Sequence, residues 1–328
     1  MNRRTFIKSA GAAGAAMAIG SEWNASADEP KKYGPIPKRK FGRHDEQVSC
    51  IAMGGHTIAL ASSVEEATRI AHEAIDSGLT FFDCAWEYHS GRAEEWLGKC
   101  LAGKRDKVFL ETKDCSHGKG GDVSMKHLED SLRRLQTDHL DLWFIHSISN
   151  EQEIERAFAP GGAVEAVAEA KKQGKVRYIG FTGHTSPDLH LKMLSHNFPF
   201  DAVLMPLSAF APKSHDFEDR VLPELKKQTI APLGMKSMGG QAVAVKDGIL
   251  TAEEALRYCL GLDITAQIVG MATIEQLRGH MNTACNLKPM TPEERVAIRE
   301  RTAPKVDPKR HTIYSSLDHR DGEPSRIA

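Results

Sequence analysis

The chain has 328 residues, 41% of them hydrophobic and 27% charged, with 43 basic side chains against 44 acidic ones and a formal net charge of −1. That length holds one large domain or two ordinary ones, and the composition is that of a soluble globular protein. A balance so close to neutral gives no field for nucleic acid or an anionic membrane surface, and neither is expected as a partner. The 15 histidines are scattered, with no His-x3-His beside a third ligand and no CxxC pair, so no metal site is expected. Cys50, Cys84, Cys100, Cys115, Cys259 and Cys285 show no disulfide-framework spacing and are expected to be free, small apolar residues.

Residues 1–27 read as an address. Arg3 and Arg4 are followed by Phe6 and Lys8, then by an Ala/Gly-rich stretch to Gly20, and Ala25-Ser26-Ala27 offers small residues for cleavage before Asp28. The pattern resembles a bacterial twin-arginine signal. It implies passage through the Tat export machinery in a folded, cofactor-loaded state, with a periplasmic destination. The apolar part is too short and Gly-rich to span a bilayer, no other segment reaches that length, and an integral membrane protein is not expected. Residues 28–37 form a Pro-containing polar leader, expected to be extended.

From Val48 one pattern recurs eight times: a short apolar run, a turn, then a segment of helical periodicity. The runs are VSCIAM, LTFFD, KVFLET, LDLWFIH, VRYIGF, DAVLMP, IAPLGM and AQIVGM. After the first, Ser63 and Glu66 form a capping-box pair, Ala67, Ile70, Ala71, Ala74 and Ile75 make an apolar face, and Gly78 closes the helix. AEEWLGKCL follows the second run, a helix with Leu128, Leu132 and Leu135 on one stripe the third, and AVEAVAEAKKQG the fourth. PDLHLKMLS, FEDRVLPELKKQ, AEEALRYCLG and IEQLRGHMNTAC are the remaining helices. Runs apolar on both faces are strands of a covered parallel sheet. Eight units in about 250 residues predict a (β/α)8 barrel as a single domain, over residues 38–285. An open doubly wound sheet is the alternative, but MGGHTIAL lacks its GxGxxG spacing.

A barrel of this kind carries its reactive groups at the C-terminal ends of strands and in the loops just after them. The second run ends on Asp83, with Tyr88 in its loop; Lys113 follows the third; His146 ends the fourth. Singly these read as a turn cap, a loop aromatic, a surface lysine and a core histidine. Together they suit one chemistry. A phenol has a pKa of about 10, an adjacent ammonium favours its ionised form, and a carboxylate holds that ammonium in place. A histidine orients a carbonyl oxygen, so the set is a proton donor for an oxygen that becomes an alkoxide. The hydride that completes a carbonyl reduction has no side-chain source and implies a nicotinamide.

FFDCAWEYHSGRAEEWLG, VFLETK, LDLWFIH and GKVRYIGFTGH, in that order, resemble the motifs of the aldo-keto reductase family. The likeness runs from KRKFGRHDEQVSCIAMGG to IVGMATIEQL, nearly all of the chain beyond the signal. It implies that Tyr88 is the general acid, Lys113 and Asp83 tune it, and His146 orients the carbonyl. It implies NADP(H) ahead of NAD(H) as cofactor and a small-molecule carbonyl as substrate. Thr182, Gly183 and His184 then meet the nicotinamide carboxamide. Met235 stands where an aromatic usually stacks on the ring, Leu204 or Met205 where a glutamine usually helps, and Lys236 and Ser237 lie toward the pyrophosphate. Gly270, Met271, Thr273 and Gln276, with Glu275 beside it, face the adenosine end, although that loop lacks the basic residues that usually select the extra phosphate of NADP. Relatives with a similar GMK strand carry a C-terminal iron–sulfur module; with no cysteine after Cys285, no such cluster is expected here.

Trp86, His117 and Phe210, with His89 and His215, follow strands at the same mouth and are the substrate-facing candidates. Residues 286–328 begin with the capped helix TPEERVAIRERT and continue as a charged tail, either disordered or packed as an arm. Two other functions stay open: a nucleotide-binding redox sensor or auxiliary subunit with little turnover, and a Schiff-base aldolase using Lys113. Asp83 disfavours the aldolase by keeping the amine protonated.

Overall fold

The computed structural model describes residues 33–316; the export-signal reading, the first part of the leader and the end of the tail lie outside the described residues. Among the described residues the first element is an antiparallel hairpin, β1 (Lys38–Lys40) paired with β2 (Gln47–Ser49). Eight parallel strands follow: β3 (Ile51–Gly54), β4 (Phe81–Asp83), β5 (Phe109–Asp114), β6 (Leu140–Ile145), β7 (Val176–Thr182), β8 (Ala202–Pro206), β9 (Ala231–Met235) and β10 (Ala266–Gly270). They pair in chain order, and β10 closes on β3 to give the expected (β/α)8 barrel. The run VSCIAM divides at Cys50. Val48 and Ser49 belong to the hairpin, and only Ile51 onward enters the barrel. Apolar character continues across the break because Phe41 and Val48 pack with Phe81, Phe109 and Leu142 inside the barrel. The Phe41 ring lies 5.1 Å from that of Phe109 and 5.0 Å from that of Tyr178.

The outer ring is built from α1 (Val64–Asp76), α2 (Arg92–Cys100), α3 (Gly121–Leu135), α4 (Ala163–Lys172), α5 (Pro187–Ser195), α6 (Leu222–Lys227), α7 (Ala252–Leu260) and α8 (Ile274–Cys285). The Ser63 hydroxyl accepts from the Glu66 backbone N–H, and α1 buries its predicted face. Only that half of the capping box forms, because the Glu66 carboxylate instead takes two 2.8 Å bonds from Arg69. The predicted helix FEDRVLPELKKQ is interrupted: Phe217–Val221 is a π turn, and α6 begins at Leu222 with Pro223 in its first turn. Proline has no N–H to continue a helix but suits the start of one. All six cysteines are free, five of them buried.

Strand period decides what faces the axis. Phe81, Phe109, Leu142, Phe144, Leu204 and Leu233 share one apolar cluster inside the barrel, while Phe82 and Leu110 join the larger core beneath the helices. Asp83, Glu111 and Lys113 therefore continue the inward rows of Phe81 and Phe109 toward the C-terminal mouth.

The tail packs as an arm. α9 (Pro292–Thr302) has a complete capping box between Thr291 and Glu294, and short turns at Pro308–His311 and Ile313–Ser315 lead to a buried Tyr314. A buried carboxylate fastens α9 to the barrel: Tyr258 donates to both Glu218 oxygens at 2.8 and 2.9 Å, and Arg299 contacts Glu218 while donating to the Tyr258 oxygen at 2.6 Å. Burial raises the Glu218 pKa from 4.5 to about 7, against the lowering pull of Arg299 and Tyr258. The folded chain then holds this proton more tightly than the unfolded chain, so stability falls as pH climbs from about 4.5 to about 7, by on the order of 2 kcal/mol. Urea melts at about pH 5 and about pH 8 should show this decline in the wild type and a flatter one in Glu218→Gln; equal declines in the two proteins would remove Glu218 as its source.

Candidate active site

β4 and β5 deliver the first two groups. The Asp83 carboxylate contacts Lys113 Nζ, and its Oδ2 accepts from Gly55 N–H at 3.3 Å. Gly55 is needed there, because a Cβ would lie 2.2 Å from the Asp83 carbonyl oxygen. Lys113, inside β5 rather than after it, is 1% exposed and also donates to the Cys84 carbonyl at 2.5 Å. Its third neighbour is Glu111 Oε1 at 3.0 Å. Burial alone would lower the lysine pKa, but Asp83 and Glu111 together raise it, so the side chain stays an ammonium. Burial and the Asp83 charge push the Glu111 carboxyl well above its usual range, with Lys113 offsetting only part of the shift.

Tyr88 opens a short turn, Tyr88–Gly91, and is almost buried. Its ring centre lies 5.2 Å from Lys113 Nζ and 6.1 Å from the His146 ring, which it meets edge-on at 79°. The turn is pinned by Arg134 of α3, which donates to the Trp86 carbonyl at 2.9 Å and to Glu94 at 3.1 Å. Gly91, at φ 92°, leaves room for that guanidinium, which a Cβ would approach to 2.5 Å.

His146 follows β6, its N–H donating to the Asp114 carbonyl at 2.8 Å. Nδ1 lies 3.2 Å from both Cys115 Sγ and Glu87 Oε1. His117 Nε2 is 3.5 Å from Glu87 Oε2, and the His117 ring sits 6.3 Å from that of His146, so this substrate candidate does reach the cluster. Burial would raise the Glu87 carboxyl, yet hydrogen bonds from His117 and His146 and their charge hold it well below the carboxylate range.

The other two substrate candidates make different contacts. Trp86 turns outward, stacked at 3.8 Å on His127 of α3 with the Arg134 guanidinium 5.2 Å from its ring. Phe210 is 1% exposed and sits beneath Gly239, whose Cβ would meet its ring at 3.5 Å. Trp86 is drawn to the cationic face of α3 beside it, and the sequence carries no local signal for that. His89 Nε2 donates to the His56 carbonyl oxygen at 2.9 Å, and His215 Nε2 donates to the Ala209 carbonyl oxygen at 3.2 Å.

On the cofactor side, Thr182 ends β7 and its hydroxyl accepts from Ser147 N–H at 2.8 Å. Gly183 packs so closely that a Cβ would meet Ile148 O and His190, both at 2.8 Å, and His184 Nδ1 is 3.4 Å from Ser147 Oγ. The buried Thr185 hydroxyl in the same loop makes no hydrogen bond among the described residues. Met235 ends β9, Lys236 takes φ 60°, and Ser237 is buried. Gly270 ends β10, where a Cβ would meet Thr57 at 2.7 Å, and Met271 N–H donates to the Thr57 hydroxyl at 2.9 Å. Thr273 caps α8, and Gln276 Oε1 accepts from Ala272 N–H at 2.8 Å, closing the turn. β9 and β10 are paired, so Lys236 and the α8 N-terminus both follow adjacent strands. A cation, a helix N-terminus and an unpaired hydroxyl suit a dinucleotide's phosphates and carboxamide.

Four further residues were not singled out in the sequence. Glu87, Glu111 and Cys115 are buried against the candidates, and Tyr314 brings an aromatic from the tail, 5.8 Å from Lys236 Nζ and 6.3 Å from the His184 ring. Glu111 was legible as an acid at inward strand parity with Lys113; Tyr314, nearly 80 residues beyond its neighbour Lys236, carried no local signal.

The closed parallel barrel brings Asp83, Tyr88, Lys113 and His146 together from neighbouring strands near its C-terminal mouth. Residues 50–247 match the Aldo/keto reductase family, and residues 1–20 match the TAT (twin-arginine translocation) pathway signal sequence. The chain belongs to the aldo/keto reductase family and is an oxidoreductase of that type. It is similar to the uncharacterized oxidoreductase YqkF of Bacillus subtilis, 26% identical over 305 residues, which span 81% of this chain and 96% of that protein. It is also similar to the aldo-keto reductase yakc (NADP(+)) of Schizosaccharomyces pombe, 31% identical over 225 residues, 62% of this chain and 63% of that protein. The holo form of aldo-keto reductase AKR11C1 from Bacillus halodurans shares the fold with a TM-score of 0.66 at 24% identity, covering 81% of this chain and 96% of that one. Among the described residues no helix is long and apolar enough to cross a membrane.

Proposed function

We propose that this protein interconverts a small aldehyde, ketone or quinone and its alcohol, with Tyr88 as general acid and base. The observation that carries the reading is the convergence of Asp83, Tyr88, Lys113 and His146 from three neighbouring strands at one barrel mouth. A nicotinamide supplies the hydride when bound. The protein's own part is to hold a proton at the Tyr88 oxygen, to favour that group's ionised form with the Lys113 ammonium, and to orient the carbonyl oxygen with His146. Asp83 and Glu111 fix the ammonium, which speaks against a Schiff-base role for Lys113.

Thr182, Gly183, His184 and Thr185 would hold the carboxamide, Met235 would face the ring, and Lys236 with Ser237 would meet the pyrophosphate. Gly270, Met271, Thr273 and Gln276 form the adenosine side. The likeness to yakc, named for NADP(+), supports NADP(H) ahead of NAD(H) as the cofactor. The Tat signal supports export and a periplasmic place of work. The test is purified protein with NADPH or NADH and a panel of aldehydes and quinones; nucleotide binding with no oxidation on any of them would favour the sensor reading. Lys236→Met should weaken binding of the reduced dinucleotide about ten- to a hundredfold, the cost of one charge-assisted contact, as read by titration of cofactor fluorescence. Unchanged affinity would take Lys236 out of the site.

A further inference from the structure

Three loops bring His146 together with two donors that the proton-transfer set does not use. Glu87 comes from the loop after β4, Cys115 follows β5 and His146 follows β6, and all three are buried. Glu87 Oε1 and Cys115 Sγ each lie 3.2 Å from His146 Nδ1, and the three donor atoms fall within 4.8 Å of one another. His117 Nε2 stands 3.5 Å from the other oxygen of the Glu87 carboxylate. Zinc binds thiolate at about 2.3 Å and imidazole or carboxylate at about 2.0 to 2.2 Å, so a tetrahedral site spaces its donors about 3.3 to 3.6 Å apart. The two 3.2 Å separations are within a few tenths of an ångström of that.

We propose that Glu87, Cys115 and His146 form a binding site for a zinc-class divalent cation, with His117 the nearest fourth donor. One thiolate, one imidazole and one carboxylate make a mixed set that suits a borderline-soft ion better than magnesium or calcium. The loop carrying Cys115 is already braced: Asp114 accepts from Ser116 N–H at 3.0 Å and from the Ser116 and Ser124 hydroxyls at 2.7 Å, and lies 3.0 Å from His127 Nδ1. Binding replaces the thiol proton of Cys115, which leaves to solvent, and uses the Nδ1 lone pair of His146, which places the ring proton on Nε2. Nothing is oxidised or reduced. The cation fixes the tautomer in which His146 donates from Nε2. The expectation of no metal site rested on local spacing, and residues 87, 115 and 146 have none, because successive barrel strands assemble them. The site does not rest on the hydride-transfer reading; it shares His146 with it, and His117 with the substrate-facing candidates.

The test uses the full chain stripped of metal by chelation, with cobalt(II) as probe and no nicotinamide present. About one equivalent should bind, with a thiolate-to-cobalt charge-transfer band and about one proton released per ion. Cys115→Ser should lose the band, and Cys259→Ser should keep it. Absence of binding, binding without the band, or a band that survives in Cys115→Ser overturns the site. If Cys115→Ser loses its native circular dichroism, X-ray absorption of the zinc-loaded wild type decides: one sulfur neighbour supports the site and a shell of nitrogen and oxygen alone overturns it. Turnover is read separately through Tyr88→Phe, so failure of one reading leaves the other standing.

Discussion

Tyr88→Phe should lower turnover about 10²- to 10⁴-fold while leaving dinucleotide affinity and folding nearly unchanged. The substitution removes one oxygen and keeps the ring that packs edge-on to His56 at 5.3 Å and to His146 at 6.1 Å. The Asp83–Lys113–Glu111 cluster below it is untouched. A loss confined to the rate is therefore a loss of proton transfer, and a loss in affinity of the same size would point to a disturbed mouth instead. The pH profile sharpens the test. In the wild type, the fall in reduction rate with rising pH should track loss of the Tyr88 proton, and the residual rate of the variant should lack that step. A variant that keeps its rate within about threefold, a difference of less than 1 kcal/mol in barrier, would end the assignment of Tyr88.

How much of this was legible in the sequence follows from the range of the signals. Most strand runs and helix faces, and the capping residues Ser63 and Thr291, are local and fall where the sequence predicts; VSCIAM, divided at Cys50, and FEDRVLPELKKQ, interrupted by a π turn, are the exceptions. Asp83, Lys113 and His146 were legible because each ends an apolar run, and a parallel barrel delivers every such end to the same mouth. Side-chain direction in loops is a different matter. Trp86 and Tyr88 are two residues apart, yet Trp86 stacks on α3 and Tyr88 faces the mouth, because Arg134 grips the backbone between β4 and α2. Glu87, between them, turns inward to His146 and His117. No period describes a turn whose course is set by a guanidinium 40 residues or more away. The same holds for Tyr314, which reaches Lys236 and His184 only because Glu218, Tyr258 and Arg299 fasten α9 to the barrel first.

Lys113→Met should destabilise the fold by about 3 to 5 kcal/mol, the cost of breaking a buried ion pair by removing one partner. The ammonium is 1% exposed and contacts Asp83, Glu111 and the Cys84 carbonyl, so its loss leaves two carboxyl groups, 4% and 0% exposed, with no cation between them. Methionine fills much of the lysine's volume, so the cost is electrostatic rather than a cavity. It should grow with pH. Glu111 already has its folded pKa raised by burial and by Asp83, and without Lys113 it rises further, so stability is lost as pH climbs past the ordinary carboxylate range of about 4.3. Lys113→Met/Glu111→Leu removes the second carboxylate along with the ammonium and should recover about 1 to 3 kcal/mol of that loss, with a weaker pH dependence. Turnover cannot report the difference, because both proteins lack the ammonium beside Tyr88; equilibrium urea unfolding at about pH 5 and about pH 8 can. If the double variant is no more stable than the single one at either pH, Glu111 is not a charge that Lys113 neutralises, and Asp83 alone holds the ammonium in place.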